Sequence, residues 1–292
     1  MKDSYILNCG PSDKNGTDWV YPVGAAPSEL PENFSRRKFT RNVSNQGTVG
    51  SCVGQTLSVV FNDTTQCESV SLSPMWIYKR AKRHDYWAGE DYSGTSISGA
   101  CLALKKEGAC KEEFYPYHGS TEDYEPLTGA IADADRRKVI AFYNLAVHRI
   151  DEIKNLLLKE SLACSIAVHS GFYAAKDDGI VVEAGYEASK YQGGHAMAIV
   201  GWKVIDGILH WEFQNSWGDN WGDDGFCFIP HTLLENIKSS NVYYLVTENE
   251  DNVRIEKEKR KRSKLMSIIA YVPELLVEGM RYCITYIKNK FS

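Results

Sequence analysis

The hydrophobic periodicity of the chain changes near residue 151, and this change limits the folds that the sequence can adopt. Before it, apolar residues recur at helical spacing in three segments, 53–64, 74–84 and 96–107. After a short helix that Asp151 can cap, β-rich segments follow, with Gly, Asn and Asp turns between them. The pattern predicts an α+β fold in which a helical part and an antiparallel β part pack together with a cleft between them.

Composition and charge exclude several classes of protein. Of the 292 residues, 43% are hydrophobic and 24% are charged, which excludes disordered, collagen-like and coiled-coil chains. The formal net charge is −5. The chain as a whole therefore lacks the basic excess of proteins that bind phosphate backbones, and we expect no nucleic acid among its main partners.

The cysteines are even in number but carry no recognisable pattern. Eight of them lie at positions 9, 52, 67, 101, 110, 164, 227 and 283. Their spacing fits neither a metal site nor a small disulfide framework, so we expect no metal and no cofactor. We interpret most of them as small buried hydrophobic residues in a reducing compartment, with one reactive exception.

Both ends of the chain differ from its centre. Residues 1–29 are rich in Gly, Pro, Ser and Asp without a sustained period, and we interpret them as an N-terminal extension. They hold no apolar run of the length that a secretory signal needs.

The C-terminal segment is basic. Residues 251–292 carry ten Lys and Arg against five Asp and Glu, with a basic run at 257–264. An apolar stripe follows, on a helix interrupted near Pro273. The run has three readings: a solvated linker, a membrane-surface anchor or docking element together with the stripe, or a protease-sensitive hinge.

Three segments carry the residue types of a thiol-dependent acyl transfer. Cys52 stands at the start of a predicted helix behind a Gly-rich approach, where the positive end of the helix favours a thiolate. Six residues upstream, the side-chain amide of Gln46 can donate to an oxyanion together with the Cys52 N–H. His195 begins an apolar strand and Asn215 ends another. A nucleophile, a base and an orienting group therefore occur in that order.

The motifs around these residues resemble those of the papain-like cysteine peptidases. They are QGxxGSC ending at Cys52, GHA followed by an apolar strand and Gly-Trp, and NSWGxxWGxxGF over 215–226. The resemblance runs from about Leu30 to about Thr247, and we assign a peptidase domain to residues 30–250. It implies a helical left domain and an antiparallel, β-barrel-like right domain with the active-site cleft between them.

The resemblance also implies a role for each matched residue. Cys52 would be the nucleophile, His195 the general base and acid, and Asn215 the group that orients the imidazole. Gln46 would donate to the oxyanion, and Trp217 would shield the Asn–His hydrogen bond from water. The implied function is hydrolysis of peptide bonds in peptide or protein substrates by an endopeptidase, through an acyl-enzyme.

Departures from the family pattern are also informative. Secreted members usually have a cysteine where this chain has Val49, and residues 93–117 are more similar to bacterial or viral members. We therefore expect a monomer in the cytoplasm or carried in a virion. By position, the substrate channel would be lined by Ser93, Gly94, Thr95, Gly194 and Trp217. About 29 residues precede the match, too few for a separate inhibitory domain, and we expect them to act as a short plug in the cleft.

Two other functions compete with an active peptidase. One is a binding or scaffold protein that kept the papain-like fold and lost turnover. The other is a related Cys–His acyl transferase or amidase, such as a transglutaminase or a cell-wall amidase. These enzymes usually orient the histidine with Asp or His, so the NSWG element disfavours this alternative.

Overall fold

A computed structural model provides the coordinates, and it describes residues 7–10, 19–20, 29–40, 42–65, 71–87, 92–120, 124–176, 178–181, 191–236 and 241–247. Helices dominate the part of this chain before residue 135. Over all described residues the α-helices are α1 Cys52–Thr64, α2 Pro74–Ala81, α3 Ile97–Lys106, α4 Ala130–Ala134, α5 Ile150–Leu157 and α6 His231–Asn236.

Local sequence explains where the helices of the first half begin and end. The Ser73 hydroxyl caps α2 by accepting from the Trp76 N–H at 3.0 Å, and Ser96 caps α3 by accepting from the Gly99 N–H at 2.9 Å. Gly108 ends α3 with a φ of +75°, where a Cβ would lie 2.0 Å from a carbonyl oxygen. Polar capping and one obligatory glycine thus set the lengths of α2 and α3.

Eight described strands form a single mixed sheet, and all but the two shortest lie between residues 139 and 247. Its strands are β1 Trp19–Val20, β2 Phe34–Ser35, β3 Val139–Leu145, β4 Leu162–His169, β5 Tyr191–Ile205, β6 Ile208–Gln214, β7 Phe226–Pro230 and β8 Asn241–Thr247. Their order is β1-β3-β8-β4-β5-β6-β7, with β2 paired to β5. All pairings are antiparallel except that of β1 with β3. Among the described strands the sheet stays open and does not close into a barrel.

The long strands of this sheet are buried on both faces, which explains their nearly unbroken apolar sequences. On β5, Met197 belongs to the cluster that also holds α5, whereas Ala198 belongs to the cluster that holds α1. On β8, Tyr244 belongs to the cluster that holds α5 and Leu245 to the cluster that holds α1. Because side chains alternate between faces, α1 and α5 pack on opposite sides of one sheet.

The α+β fold and the helices predicted around 53–64, 74–84 and 96–107 are confirmed. The proposed cap at Asp151 is wrong: α5 begins one residue earlier, at Ile150, without a side-chain cap. Strand β3 was not predicted. No described helix is long and apolar enough to cross a bilayer. The basic run and apolar stripe of residues 251–292 lie outside the described residues.

Candidate active site

Cys52 lies at the first position of α1, fully buried, at the end of a tight loop. The loop begins with Asn45, whose side-chain oxygen accepts from the Gly47 N–H at 2.9 Å while Gly47 takes a φ of +57°. A Cβ on Gly50 would lie 2.4 Å from the Ser93 hydroxyl oxygen, so glycine allows the loop to approach the neighbouring segment. The Gly-rich segment before Cys52 is therefore a tight turn that places the thiol at the start of α1.

His195 and Asn215 meet because β5 and β6 are neighbours. Ala198 of β5 pairs with Gln214 of β6, so the next residue, Asn215, lies just past the end of β6 at the level of Met197, two residues along β5 from His195. The His195 Nε2 lies 2.8 Å from the Asn215 Oδ1. An amide oxygen only accepts, so Nε2 carries the proton and the lone pair of the fully buried ring lies on Nδ1. Among the described residues, Nδ1 has no hydrogen-bond partner.

Trp217 covers the histidine. Its ring stacks on that of His195, with centroids 4.8 Å apart and an angle of 26°. Phe172 and Trp221 pack edge-on against the same indole, which is 5% exposed. This aromatic cluster packs over the fully buried ring of His195.

Gln46 is buried beside the same turn, and its amide is held at both ends. Its Nε2 donates to the Val49 carbonyl at 3.1 Å, and its Oε1 accepts from the Ser216 hydroxyl at 2.7 Å. The Ser216 N–H also donates to the Asn215 Oδ1 at 2.8 Å. Ser216 thus orients two amides, a role that the sequence analysis missed although this serine lies within the NSWG motif.

Backbone hydrogen bonds join the Gln46 loop to the NSWG turn and form a seam between the two halves. The Gln46 N–H donates to the Ser216 carbonyl at 2.9 Å, and the Gly218 N–H donates to the Ser44 carbonyl at 3.0 Å. Asn45 and Trp217 form an antiparallel bridge between these bonds. The seam holds the candidate oxyanion donor and the candidate orienting residue in register.

An N-terminal segment, residues 7–10, lies in the region predicted to bind substrate. The Cys9 N–H donates to the Gly194 carbonyl at 2.8 Å, and the Gly10 N–H donates to the Thr95 carbonyl at 2.9 Å. The Thr95 N–H donates back to the Asn8 carbonyl at 3.2 Å. The segment therefore forms a parallel bridge from Cys9 to Thr95 and is held by main-chain bonds on both sides.

Side chains and glycines around the N-terminal segment fit it closely. The Asn8 side-chain amide donates to the Ser93 hydroxyl at 2.8 Å. A Cβ on Gly94 would lie 1.9 Å from the Asn8 carbonyl oxygen, and one on Gly194 would lie 2.1 Å from that of Cys9. Ser93, Gly94, Thr95 and Gly194 thus all contact or closely approach residues 7–10, whereas Trp217 lies against His195.

Burial controls the protonation of the candidate catalytic pair. Burial raises the pKa of the Cys52 thiol to about 11, although hydrogen bonds from the backbone at Ala196 and Asn8 act in the opposite direction. Burial also lowers the pKa of His195 to about 4, against the effect of the Asn215 hydrogen bond. With the N-terminal segment in place, the resting pair is a neutral thiol and a neutral imidazole. For the pKa of Cys52, the increase caused by burial is larger than the decrease caused by the helix N-terminus.

The described residues contain no group of three or more His, Cys, Asp and Glu side chains that could hold a metal ion. The sequence model of the papain family cysteine proteases matches residues 30–245. The chain belongs to the papain family. This match covers the Cys52 loop, both strands that carry His195 and Asn215, and the Ser93–Thr95 segment, but begins after the N-terminal segment.

Solved structures of family members share the fold. Xylellain, a cysteine protease from Xylella fastidiosa, superposes with a TM-score of 0.71 at 21% identity, covering 84% of this chain and 97% of xylellain. Procathepsin B S9 from Trypanosoma congolense gives a TM-score of 0.64 at 19% identity, covering 83% of this chain and 87% of that structure.

Curated relatives are similar in sequence over much of the domain. A cysteine protease of Blomia tropicalis is 26% identical over 68% of this chain, and oryzain gamma chain of Oryza sativa subsp. japonica is 29% identical over 68%. The matched regions span 61% and 54% of those two relatives. The cathepsin B-like CP2 of Giardia intestinalis is 27% identical, over 70% of this chain and 72% of its own length.

Proposed function

We propose that the protein is a thiol-dependent peptidase in which Cys52, His195 and Asn215 form the catalytic site. The observation that carries this proposal is the hydrogen bond from His195 Nε2 to Asn215 Oδ1, which leaves Nδ1 unprotonated. An asparagine as the orienting group favours a peptidase over the acyl transferases and amidases that orient histidine with Asp or His.

The reaction follows from these groups. His195 Nδ1 takes the thiol proton as the Cys52 sulfur attacks the peptide carbonyl carbon. The resulting oxyanion accepts from the Cys52 backbone N–H, which as the first residue of α1 has no acceptor within the helix, and from the Gln46 amide. His195 then gives its proton to the leaving amine. Water hydrolyses the thioester, with His195 as the base, and restores the thiol.

The substrate in this proposal is an extended peptide recognised mainly through its backbone. The support is the N-terminal segment itself, which bonds through its main chain to the carbonyls of Gly194 and Thr95 and to the Thr95 N–H, beside the one side-chain bond from Asn8 to Ser93. Main-chain pairing of this kind binds many sequences. We accordingly expect broad endopeptidase cleavage of unfolded proteins and no cofactor requirement.

We further infer that residues 1–29 restrain the enzyme as a plug. In support, residues 7–10 occupy the channel that a substrate would need, and their backbone contacts the Cys52 sulfur.

We also infer that the enzyme works in a reducing compartment. Cys9, Cys52, Cys110, Cys164 and Cys227 are free thiols, and the proposed nucleophile works only when it is reduced.

Hydrolysis by wild type and Cys52→Ala in reducing buffer tests the function. We expect cleavage of a mixed peptide library by the wild type, after removal of residues 1–29 if the plug is tight, and none by Cys52→Ala. A Cys52→Ser variant is the matched control for folding. Failure of an epoxide or iodoacetamide to label Cys52, with no cleavage in any form, would instead favour a silent scaffold.

A further inference from the structure

The hydroxyl of Tyr117 lies between the two ends of the loop that carries the oxyanion donors. It donates to the Gln46 carbonyl at 2.7 Å and lies 2.6 Å from the Ser51 hydroxyl. Ser51 immediately precedes Cys52. Burial raises the pKa of the Tyr117 phenol, so the hydroxyl stays protonated and remains a donor. This tyrosine is the last residue of the 93–117 stretch, and no role was predicted for it.

The backbone of residues 117–119 also forms hydrogen bonds that hold this loop. The Gly119 carbonyl accepts from both the N–H and the hydroxyl of Thr48 at 3.3 Å. Tyr117 itself is anchored from the other side, because its N–H donates to the Glu112 carboxylate at 2.5 Å. The segment is therefore anchored through Glu112. Gly119 holds the centre of the loop at Thr48, and the Tyr117 hydroxyl holds its two ends.

Inside the loop, few bonds set the separation of Gln46 and Cys52. The Val49 N–H donates to the Gln46 carbonyl at 3.2 Å, and the Ser51 N–H donates to the Val49 carbonyl at 2.8 Å. The Val49 carbonyl also accepts from the Gln46 side-chain amide, so it contacts Gln46 and Ser51 from within the loop, and the Tyr117 hydroxyl contacts the same two residues from outside it. Without it, the internal bonds keep the loop folded but leave the distance between its ends less constrained.

We propose that Tyr117 is a positioning residue that sets the distance between the Gln46 amide and the Cys52 N–H. This inference rests on the proposed function, in which those two groups stabilise the oxyanion. Oxyanion donors act only within a narrow distance of the developing charge. Peptide binding in the ground state uses Gly194 and Thr95 instead. The effect of Tyr117 is therefore on turnover rather than on substrate affinity.

The test compares Tyr117→Phe with Tyr124→Phe. Tyr124 donates its hydroxyl to the Pro116 carbonyl, so the control removes one hydroxyl from the same region without touching the Gln46 loop. Three quantities are measured: kcat and KM on a peptide, the inhibition constant of a peptide aldehyde, and the rate of Cys52 alkylation by iodoacetamide. The aldehyde forms a tetrahedral adduct with an oxyanion, whereas alkylation forms none.

For Tyr117→Phe we expect kcat to fall about tenfold and the aldehyde to bind about tenfold more weakly, the loss that one hydrogen bond accounts for. KM and the alkylation rate should stay within about twofold of wild type by the same reasoning, since neither involves an oxyanion. Tyr124→Phe should match wild type in all three. If Tyr117→Phe does not fold, Ser51→Ala removes the other half of the hydroxyl pair, and we expect changes in the same direction.

Three results would overturn the inference. They are unchanged kcat in Tyr117→Phe, equal losses in both tyrosine variants, and a parallel fall in alkylation, which would indicate a damaged thiol rather than a displaced oxyanion donor. If Ser51→Ala replaces Tyr117→Phe, unchanged aldehyde binding has the same meaning. An enzyme that neither cleaves peptides nor is alkylated at Cys52, even after removal of residues 1–29, would refute the proposed function instead.

Discussion

Replacing Cys9 with proline should release the N-terminal segment and make the Cys52 thiol reactive. Proline has no N–H, so the hydrogen bond to the Gly194 carbonyl is lost, and its ring restricts the backbone that runs beside Thr95. The matched control is Cys9→Ser, which removes the sulfur but keeps the backbone donor. Any difference between the two variants then reports on the main-chain contacts of the N-terminal segment.

The expected size follows from the pKa of the thiol. Burial raises the pKa of Cys52 from 9.0 to about 11, so opening the channel to water increases the thiolate fraction at neutral pH by about 100-fold. A less basic thiolate is also a weaker nucleophile, which reduces that gain by about sixfold to tenfold. We therefore expect alkylation at least about tenfold faster in Cys9→Pro, before any further gain from proton transfer to His195.

The assay is the rate of iodoacetamide incorporation into the Cys52 peptide, followed by mass spectrometry between pH 5 and 10. In wild type and Cys9→Ser, the rate should still be rising at pH 10. In Cys9→Pro, the midpoint should move to lower pH, and peptide hydrolysis should rise with it. Equal Cys52 profiles in Cys9→Pro and Cys9→Ser would refute the reasoning, provided that both variants unfold at the same temperature as wild type.

Two further substitutions test other parts of the molecule. Asn215→Ala removes the acceptor of the His195 Nε2–H, and we expect kcat/KM to fall at least about tenfold because the ring loses its orientation; an unchanged pH–rate profile would remove Asn215 from the mechanism. Burial raises the pKa of Glu160 from 4.5 to about 7, so the folded protein holds a proton that the unfolded chain releases. Stability is therefore lost as the pH rises through this window, by an amount on the order of 3 kcal/mol. Glu160→Gln should reduce the difference between the urea midpoints at pH 5 and pH 8; an equal difference in both proteins would contradict this assignment.

Features with a local cause could be predicted from the sequence. The helix that begins at Cys52 follows from apolar spacing, and the two strands near His195 and Asn215 follow from short apolar runs between turns. The predicted start at His195 is wrong, because β5 begins at Tyr191, and β6 ends one residue before Asn215. Strand β3 was missed because it lies before the apparent change of periodicity and pairs with β8, about a hundred residues later. Such pairings leave no mark in a local pattern.

The candidate site shows the same limit. Cys52, His195, Asn215 and Gln46 stand in ordered motifs, so sequence reasoning could name them. The hydroxyl of Tyr117 reaches residues 66 and 71 positions away, and contacts over such separations depend on the packing of whole elements. The protonation state of Cys52 could not be predicted from the sequence either. A helix N-terminus favours a thiolate, but burial in the folded protein has the larger effect and raises the pKa of the thiol.

The seam between the Gln46 loop and the NSWG turn has a consequence for divergence. Its bonds from Gln46 to Ser216 and from Gly218 to Ser44 join backbone atoms, whose chemistry is the same for almost every amino acid. Substitutions in the surrounding side chains can therefore accumulate without separating the two walls of the site. This gives a physical reason why the two walls can stay in register in a chain that is only 21% identical to xylellain and shares its fold.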